Sequence, residues 1–321
     1  MPVGKKLGQA VSIIVTTFNE SETILQLLQA LEQQTLQPAE IVVVDANSSD
    51  GTAVVVTNYI KKTDLSIKLY SKTGNRSIGR NLAIKKAKSP LIAITDAGCV
   101  PEKNWLKELV SKQIETSAPV VAGYYQGLAQ TAFEEAVIPY VLVLPDRVDE
   151  KTFLPATRSM LLTKKVWQQL GGFDASLSDN EDYVFARKLQ QKNILISFAK
   201  NAIVSWRPRS NLTDFFGMIF RFARGDATAG LFRPKVAFLF VRYALLLIAS
   251  LIILVFLPPK FLLKLWVPLG VLYSIWAVDK NVRYTPKGWK WLPLLQYTAD
   301  AAVLSGTLVG LFIRLRKTIF G

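Results

Sequence analysis

The chain has no histidine and a single cysteine, Cys99, among its 321 residues. The missing imidazole excludes a Ser-His-Asp arrangement and removes both the commonest general base and the commonest zinc ligand. One cysteine cannot form an intramolecular disulfide, so nothing in the sequence requires an oxidising compartment. Any proton transfer by this protein is therefore expected to depend on carboxylates.

Acidic residues are few relative to basic ones, with 24 Asp and Glu against 39 Lys and Arg and a net charge of +15. This excess is compatible with a solubilising surface, with nucleic-acid binding, or with attraction to the anionic cytoplasmic face of a membrane. We favour the membrane and expect no nucleic-acid partner, because many of the basic residues flank apolar segments. These residues are Arg233, Lys235, Lys280, Arg283, Lys287, Lys290, Arg314, Arg316 and Lys317.

Long apolar runs are missing from the first two-thirds of the chain and concentrated in the last third. Residues 236–257 have roughly the length that a bilayer core requires, and residues 261–278 form a second candidate span. A third candidate, residues 294–313, is weakened by Asp300 inside it, and a full span here would place Arg314, Arg316 and Lys317 outside, against the usual charge rule. This segment is therefore expected to be re-entrant, interfacial or a span that breaks the rule. The pattern predicts a membrane domain over residues 236–321 with two to three apolar helices. A helical soluble domain is the alternative.

The basic residues beside these spans predict the topology. Arg233 and Lys235 precede the first span and the basic loop 280–290 follows the second, which places both on the cytoplasmic side. We therefore expect a multi-pass protein of the cell inner membrane whose N-terminal domain is cytoplasmic. Residues 211–235 mix aromatic, aliphatic and charged side chains, which predicts an amphipathic segment at the membrane interface. A helix packed in a protein core would show the same pattern.

Short β-branched runs alternate with helical patterns over residues 1–210, the predicted N-terminal domain. Strands are expected at 11–16, 41–44, 67–70 and 91–95, with helices between them, including one that Ser21 caps and one over 80–88. This order predicts an α/β, Rossmann-like domain with a mostly parallel sheet and helices on both faces. Ligands of such sheets bind beyond the carboxyl ends of the strands, which is where Asp45 and Asp96 are expected.

Four polar motifs mark this edge of the sheet. They are TTFNE at 16–20, VDANSSDGT at 44–52, Arg80-Asn81 with the later Asp96-Ala97-Gly98, and GGFD at 171–174 with NED at 180–182. A carboxylate such as Asp45 suits the N–H groups of a nucleotide base, Glu20 suits ribose hydroxyls, and Glu181 or Asp182 suits a general base. Taken singly, each motif has a plain structural explanation as a turn, a helix cap or an acidic helix start.

In this order and spacing, the motifs resemble those of family 2 glycosyltransferases with the GT-A fold, over roughly residues 10–225. The resemblance implies a nucleotide-sugar donor, with Asp45 at the base and Asp96 as the first aspartate of the family's Asp-x-Asp motif. It also implies that Asp182 is the catalytic base, with Glu181 beside it. The donor-binding residues it implies are Thr16, Phe18, Glu20, Asp45, Arg80, Asp96, Arg221 and Arg224. The last two lie in RFARG (221–225), which resembles a segment that closes over the donor diphosphate.

Two departures from the family pattern concern the metal. The Asp-x-Asp motif reads Asp96-Ala97-Gly98, so its second ligand is missing, and Trp206 lies near the position where relatives often have a metal-binding histidine. Mg²⁺ or Mn²⁺ is therefore expected either to be held by Asp96, water and the diphosphate, or to be replaced in part by cations. The candidate cations are Arg80, Arg207, Arg209, Arg221 and Arg224. We expect weaker metal dependence than the family usually shows.

The sequence thus predicts an inverting transferase that moves a sugar from a UDP- or GDP-sugar to a lipid or lipid-linked hydroxyl at the cytoplasmic membrane face. Two other functions fit less of the pattern. A non-catalytic membrane scaffold or sensor that binds nucleotide-sugar would explain the reduced metal motif but not the Glu181-Asp182 pair. A nucleotidyltransferase would require a phosphate loop with glycine and lysine after the first strand, which TTFNE does not contain.

Overall fold

A computed structural model of the chain describes residues 10–231 and 233–320. These residues form two compact units. The first consists of the residues up to 127 together with 143–207, and the second of residues 128–142 together with those from 208 onward. Residues 128–142 thus group with the C-terminal helices, although they lie within the predicted domain 1–210.

The first unit alternates strands and helices along its length. Its strands are β1 (Val11–Thr17), β2 (Glu40–Asp45), β3 (Ile67–Ser71), β4 (Leu91–Asp96), β5 (Cys99–Pro101), β6 (Val120–Gly127), β7 (Met160–Thr163) and β8 (Ile196–Trp206). Its helices are α1 (Ile24–Glu32), α2 (Thr52–Ile60), α3 (Arg76–Lys86), α4 (Trp105–Thr116), α6 (Lys164–Gln169) and α7 (Glu181–Gln191). The strands expected from the sequence in the first hundred residues are all confirmed.

The strands form one sheet in the order β3-β2-β1-β4-β7-β6-β8-β5. Four of the seven pairings between described strands are parallel, and the three antiparallel ones involve β7 or β5. The parallel register pairs Thr17 with Asp45 on one side of β1 and Thr16 with Asp96 on the other. The carboxyl end of β1 therefore lies between the two aspartates that the sequence singled out.

Both faces of the sheet are buried, so its strands are apolar on both sides. On one face, residues such as Ile13, Val15 and Val43 pack with buried residues of α1, α2 and α4. On the other face, residues such as Ile14 and Val44 pack with buried residues of α3, α6 and α7. This is the predicted arrangement of helices on both faces.

Two predicted helix ends differ from the structure. The helix expected over 80–88 begins at Arg76, because the Asn75 side chain accepts a hydrogen bond from the backbone N–H of Ile78 (3.1 Å) and caps it there. Ser21 is not a helix cap, since α1 begins at Ile24. The Ser21 N–H instead donates to Asp50 (2.9 Å).

A buried carboxylate ties the amino ends of the central strands together. Glu40 is 4% exposed and accepts hydrogen bonds from the Ser12 hydroxyl (2.9 Å) and the Lys88 N–H (2.5 Å), and it forms an ion pair with Lys68 (2.7 Å). Burial alone would raise the pKa of Glu40, but these bonds outweigh it and hold the pKa below its usual value. The group is thus ionised and contributes to stability in that form.

The second unit is helical. It contains α5 (Ala132–Val141), α8 (Leu212–Thr228), α9 (Pro234–Phe256), α10 (Lys260–Asn281) and α11 (Leu292–Phe320). Around α9, α10 and α11, the segments Pro234–Phe256, Lys260–Tyr284 and Trp289–Arg316 are long and apolar enough to cross a membrane. This indicates membrane association, and the third candidate segment is as helical as the other two.

Asp300, the charge inside that third segment, has several partners. Its carboxylate forms an ion pair with Arg242 of α9 (2.6 Å) and accepts hydrogen bonds from the hydroxyls of Tyr243 (2.9 Å) and Tyr273 (2.6 Å). The amide of Gln296, one turn earlier, donates a further bond (3.0 Å). A charge inside an apolar segment is tolerated when it is paired in this way, and here it joins α9, α10 and α11.

Helix α8, which covers most of the predicted interfacial segment, packs closely along α11. The backbone carbonyls of Phe220 and Arg224 lie directly against Gly306 and Gly310, leaving no room for a side chain at either glycine. The buried residues of α8 include Phe215, Met218, Ile219, Ala223 and Ala227. Its apolar face is thus at least partly a packing surface, and its placement at a membrane interface stays a prediction.

Candidate active site

Two loops at the carboxyl ends of β1 and β2 hold each other in place. Asp45 is buried and its carboxylate accepts hydrogen bonds from the N–H (2.9 Å) and hydroxyl (2.5 Å) of Ser48. That hydroxyl accepts from the Asn19 N–H, and the Asn19 side chain accepts from the Ser49 N–H, both at 2.9 Å. Asp45 therefore closes a turn, and a carboxylate has lone pairs left over for a further donor.

The other residues expected at the end of β1 have different environments. Thr16 packs against α3, where a side chain at Gly79 would lie 3.0 Å from its methyl group. Phe18 is 59% exposed, an unusual position for a phenyl ring. Glu20 is half-buried and accepts a hydrogen bond from the Thr23 hydroxyl (2.5 Å). Phe18 and Glu20 thus follow β1 on the loop that holds the Asp45 turn.

Arg80 is the central side chain of the site. It is 2% exposed, and its guanidinium forms ion pairs with Asp96 at the end of β4 (2.8 Å) and with Glu181 at the start of α7. It also lies over the ring of Phe173, 5.7 Å from the centroid. The two carboxylates raise the pKa of Arg80 despite its burial, so it is a permanent cation. One buried arginine thus joins Asp96, Phe173 and Glu181, which are far apart in the sequence.

Asp96 lies among several cations. Burial alone would raise the pKa of this carboxyl, but the guanidiniums of Arg80, Arg158 and Arg76 outweigh burial and hold the pKa below its usual value. About a third of the Asp96 side chain (33%) remains exposed, in contrast to 4% for Glu181. Asp96 is therefore an ionised carboxylate that is open on one side.

Asn81, beside Arg80, positions the glycine turn before α7. Its side chain donates to the carbonyl of Phe173 (2.7 Å) and accepts from the Phe173 N–H (2.9 Å) and the Trp167 indole (3.0 Å). Gly172 has a φ of +78°, and a side chain there would lie 2.7 Å from the Asn81 oxygen. The second glycine of the motif is therefore needed both for its backbone conformation and for this close approach.

Helix α7 begins with the two predicted catalytic carboxylates. Asn180 precedes them with a φ of +57°, the left-handed conformation that asparagine tolerates better than most residues. Glu181 is buried against Arg80, whereas Asp182 is half-buried, and its carboxylate accepts a hydrogen bond from the Tyr183 N–H (2.8 Å). Of the pair, Glu181 is thus bound in an ion pair with Arg80, and the role of Asp182 as the base stays a prediction.

Arg158 is a cation at this edge of the sheet that no sequence motif indicates. Its guanidinium lies over the rings of Trp206 (4.8 Å to the centroid) and Tyr125 (5.4 Å). Arg158 precedes β7, whose pairing with β4 brings it to the same edge as Asp96. The signal in the sequence was the short apolar run Met160–Leu162, which is too short to be assigned to a strand without knowledge of its partner.

The side chains of this edge do not form a cation site on their own. Asp96 already binds Arg80, position 98 has no side chain, and a Cβ added there would lie 3.7 Å from the Glu20 carboxylate. In the part of the chain that the structure describes, no group of three or more Cys, Asp or Glu could hold a metal ion. The donors present therefore do not fit a divalent cation held by protein ligands alone.

The remaining predicted donor-binding residues, Arg221 and Arg224, lie on α8 of the second unit. The Arg224 guanidinium lies 5.9 Å from the ring of Phe220, one turn earlier. The Arg221 guanidinium passes beside Gly217, where a Cβ would lie 3.5 Å from it. A role for these two side chains in donor binding stays a prediction.

Known proteins resemble this chain in sequence and in fold. Residues 12–159 match the family model described as Glycosyl transferase family 2. The glycosyltransferase AglE of Haloferax volcanii is 24% identical over 224 residues, which are 67% of this chain and 72% of AglE. The chondroitin synthase of Pasteurella multocida is matched over 13% of its own length and the glycosyltransferase GlyG of Streptococcus pneumoniae over 40%.

Two solved structures cover most of the chain. The mannosyltransferase PcManGT from Pyrobaculum calidifontis, in complex with GDP-Man and Mn²⁺, aligns with a TM-score of 0.62 at 19% identity, over 92% of this chain and 87% of that one. Residues 1–349 of TarS from S. aureus, in complex with UDP, align with a TM-score of 0.51 at 20% identity, over 96% and 91%. These likenesses confirm the predicted fold.

Proposed function

We propose that this chain, a family 2 glycosyltransferase with the GT-A fold, is an inverting enzyme whose general base is Asp182. The carboxylate of Asp182 takes the proton of an acceptor hydroxyl, and the resulting oxygen attacks the anomeric carbon of the sugar. The bond from that carbon to the diphosphate breaks on the opposite face, and the nucleoside diphosphate leaves. With no histidine in the chain, a carboxylate is the natural base.

One observation carries this proposal: Arg80 binds Glu181 and Asp96 at once. Through this bridge, the start of α7 is held beside the end of β4, where the donor diphosphate is expected. Asp182, the neighbour of Glu181, is then fixed close to the reacting centre without being neutralised by Arg80 itself. A base held in place by its neighbour's ion pair needs little reorganisation when the acceptor binds.

We assign the donor contacts as follows. The spare lone pairs of Asp45 accept N–H groups of uracil or guanine, Glu20 binds ribose hydroxyls, and the exposed ring of Phe18 packs on the nucleotide beside Thr16. The complexes of PcManGT with GDP-Man and of TarS with UDP support a nucleotide-sugar of one of these two types. Arg221 and Arg224 are assigned to the diphosphate.

A divalent cation contributes less here than in relatives with a full Asp-x-Asp motif. The complex of PcManGT with Mn²⁺ supports cation use in structurally similar enzymes. In this chain, Asp96 could supply one ligand, with water and the diphosphate supplying the others, and such a cation would polarise the diphosphate. Complete loss of activity in EDTA, restored only by Mn²⁺ or Mg²⁺, would argue against weak metal dependence.

The acceptor is proposed to be a lipid or lipid-linked hydroxyl at the cytoplasmic face of the inner membrane. Support comes from the three helices that are long and apolar enough to cross a membrane and from the basic residues around them. In this arrangement residues 1–210 form the catalytic domain, 211–235 the interfacial segment and 236–321 the membrane domain. Cysteine-accessibility mapping of single cysteines at positions 233 and 287, in a Cys99→Ser background, tests the cytoplasmic placement.

The decisive experiment is a turnover assay on the membrane-inserted full chain. UDP- and GDP-sugars are supplied with a bacterial lipid extract, and release of nucleoside diphosphate is followed for the wild type and for Asp182→Asn. We expect Asp182→Asn to abolish turnover while donor binding persists. Turnover retained by this variant would refute the assignment of the base.

The second candidate function is a membrane scaffold or sensor that binds nucleotide-sugar without turning it over. Gly98, in place of the second aspartate of the motif, is the observation that favours it. The same assay separates the two functions, because a sensor would bind one of the donors and release no nucleoside diphosphate from any of them.

A further inference from the structure

Arg158 is a cation at the predicted diphosphate position that forms no ion pair with a carboxylate among the described residues, although Asp96 and Asp182 lie near enough to act on its charge. Its guanidinium contacts two aromatic rings, and among the described residues its side chain has neither a hydrogen bond nor an ion pair. By contrast, Arg80 already binds two carboxylates. Charged groups this close to the interior are normally paired, so an unpaired guanidinium suggests that its partner is a ligand.

Arg158 lies in a turn beside the end of β4. The antiparallel ladder of β4 and β7 ends at Ile94 and Met160, and residues 156–159 form a turn that the hydrogen bond from the Ser159 N–H to the Ala156 carbonyl closes (3.0 Å). On the other side, β5 pairs Cys99 with Trp206, the ring that Arg158 covers. The guanidinium therefore lies between the end of β4 and the end of β8.

The electrostatic surroundings of Arg158 agree with this placement. Burial disfavours its charge, but the nearby carboxylates of Asp96 and Asp182 favour it, and the pKa of the guanidinium is raised. Arg158 is therefore charged at every pH of interest and lies within electrostatic reach of both the candidate base and the carboxylate at the end of β4.

The backbone that carries Arg158 is rigid. The neighbouring Ser159 is fully buried, and its hydroxyl accepts from the Trp105 indole (2.8 Å) and donates to the carbonyl of Ala202 (3.0 Å). Its carbonyl accepts from the Gly123 N–H (2.9 Å). Ser159 is thus held by residues of α4, β6 and the 196–206 strand β8, and the fold therefore fixes the backbone from which the Arg158 side chain extends.

We propose that Arg158, held over Trp206, binds the diphosphate of the nucleotide-sugar donor and supplies part of the positive charge that a divalent cation supplies elsewhere. This inference rests on the proposed function, since it requires a nucleoside diphosphate as the leaving group. A guanidinium offers a planar pair of donors that matches two phosphate oxygens. The Trp206 ring shields one face of that guanidinium from water, and the lower local dielectric strengthens its attraction for an anion.

The test measures the affinity of purified full-length protein for UDP, GDP, UMP and GMP by titration calorimetry, in EDTA and in Mn²⁺. We expect Arg158→Gln to weaken binding of the diphosphate by ~10-fold or more in EDTA, because a charge-assisted hydrogen bond is lost. The monophosphate, which lacks the second phosphate, should lose much less. Mn²⁺ should restore part of the loss in Arg158→Gln and change the wild type little.

Three variants serve as comparisons. Arg158→Lys keeps the charge without the planar fork and should fall between the wild type and Arg158→Gln. Trp206→Leu removes the ring and should weaken diphosphate binding less than Arg158→Gln does. Arg187→Gln alters an exposed arginine of α7, whose side chain bonds Gln190 (3.0 Å), and should leave all four affinities unchanged.

The possible results separate this inference from the proposed function. If Arg158→Gln loses as much affinity for the monophosphates as for the diphosphates, or loses no affinity for either, the inference is wrong. Loss of turnover in Asp182→Asn would still support the transferase in that case. If the wild type binds no nucleotide at all, both fail. Binding of the wild type and of Arg158→Gln to vesicles that contain phosphatidic acid is measured as well. If the substitution lowers only this binding and leaves the nucleotide affinities unchanged, Arg158 binds a phosphate of the acceptor and the inference is wrong.

Discussion

Replacing Arg80 by methionine removes the cation that joins the two carboxylates of the site. Glu181 is then left as a buried charge without a partner, while Asp96, with a third of its side chain exposed, can be rehydrated. Breaking a buried ion pair from one side costs about 3–5 kcal/mol. We expect Arg80→Met to lower the free energy of unfolding by this amount, most of it from Glu181.

The difference in burial between the two carboxylates gives the experiment its internal control. Neutralising the unpaired charge of Glu181 in Arg80→Met/Glu181→Gln should recover ~0.5–3 kcal/mol, the range of coupling between residues in direct contact. Arg80→Met/Asp96→Asn should recover distinctly less, because the exposed carboxylate already regains water. Both double variants keep the methionine, so only the second substitution differs.

The assay is thermal unfolding of the detergent-solubilised protein, followed by intrinsic fluorescence at constant pH. For a domain of about 150–250 residues, a loss of 1 kcal/mol in the free energy of unfolding lowers the midpoint temperature by about 2–4 °C. Arg80→Met should therefore unfold about 6–20 °C below the wild type. If Arg80→Met unfolds with the wild type, or if the Asp96 double variant recovers more than the Glu181 one, the role given to Arg80 is wrong.

Three further predictions concern the rest of the fold. Gly172→Ala should lower both kcat and thermal stability, because its Cβ would lie 2.7 Å from the Asn81 oxygen. Gly171→Ala is the control, since Gly171 has a similar positive φ but open space around it, and this variant should show the effect of backbone strain alone. The folded-state pKa of Glu40 is lowered, so its contribution is complete above about pH 4.3, the value in an unfolded chain, and is lost as the pH falls below it. Glu40→Gln should therefore be less stable than the wild type at neutral pH, by a margin that shrinks in acid. Asp300→Asn should lower thermal stability in detergent, because it leaves the Arg242 guanidinium without its carboxylate.

Each of these predictions has a contrary result. Equal kcat values for the two alanine variants would show that the Asn81 contact does not position α7. A stability difference for Glu40→Gln that is the same at pH 3 and pH 7 would mean that its ionised form is not what stabilises the strands. For Asp300, the double variant Arg242→Gln/Asp300→Asn should be more stable than Asp300→Asn, and the reverse order would contradict the pairing.

The sequence was sufficient where structure depends on local pattern. The β-branched runs of β1 to β4 are each bounded by polar turns, so the strands, their parallel direction and the positions of Asp45 and Asp96 could be predicted. The middle of the chain could not, because β7 is only four residues long and its place between β4 and β6 depends on pairing with distant strands. Arg158 was missed for the same reason, as no motif marks it.

The partners of the buried charged side chains could not be predicted from the sequence either. The motif resemblance assigns Arg80 to donor binding, which stays a prediction, and the structure adds that its guanidinium forms ion pairs with Asp96 and Glu181. Its two partners lie 16 and 101 residues away in the chain, and the sequence shows neither distance nor burial. The partners of Asp300 could not be predicted either. From the sequence alone this residue only weakens an apolar segment, whereas the structure shows that it binds side chains of two other helices.

The glycine at position 98 and the arginine at position 158 make electrostatic sense together. Two aspartates and a divalent cation have no net charge as a set, and neither have Asp96 and Arg158. A second carboxylate at position 98 would make the Arg158 site more negative by one charge and weaken its attraction for a diphosphate. Gly98→Asp should therefore bind UDP or GDP more weakly than the wild type in EDTA and regain affinity when Mn²⁺ is added.

The structure can accommodate that substitution, since an added Cβ at Gly98 would meet only the Glu20 carboxylate, at an ordinary 3.7 Å, among the described residues. Gly98→Asn, which has the same shape without the charge, is the matched control and should keep wild-type affinity in EDTA. If Gly98→Asp and Gly98→Asn bind the diphosphates equally well, with and without Mn²⁺, then charge at this position does not matter. In that case the missing aspartate and Arg158 are unrelated features of the site.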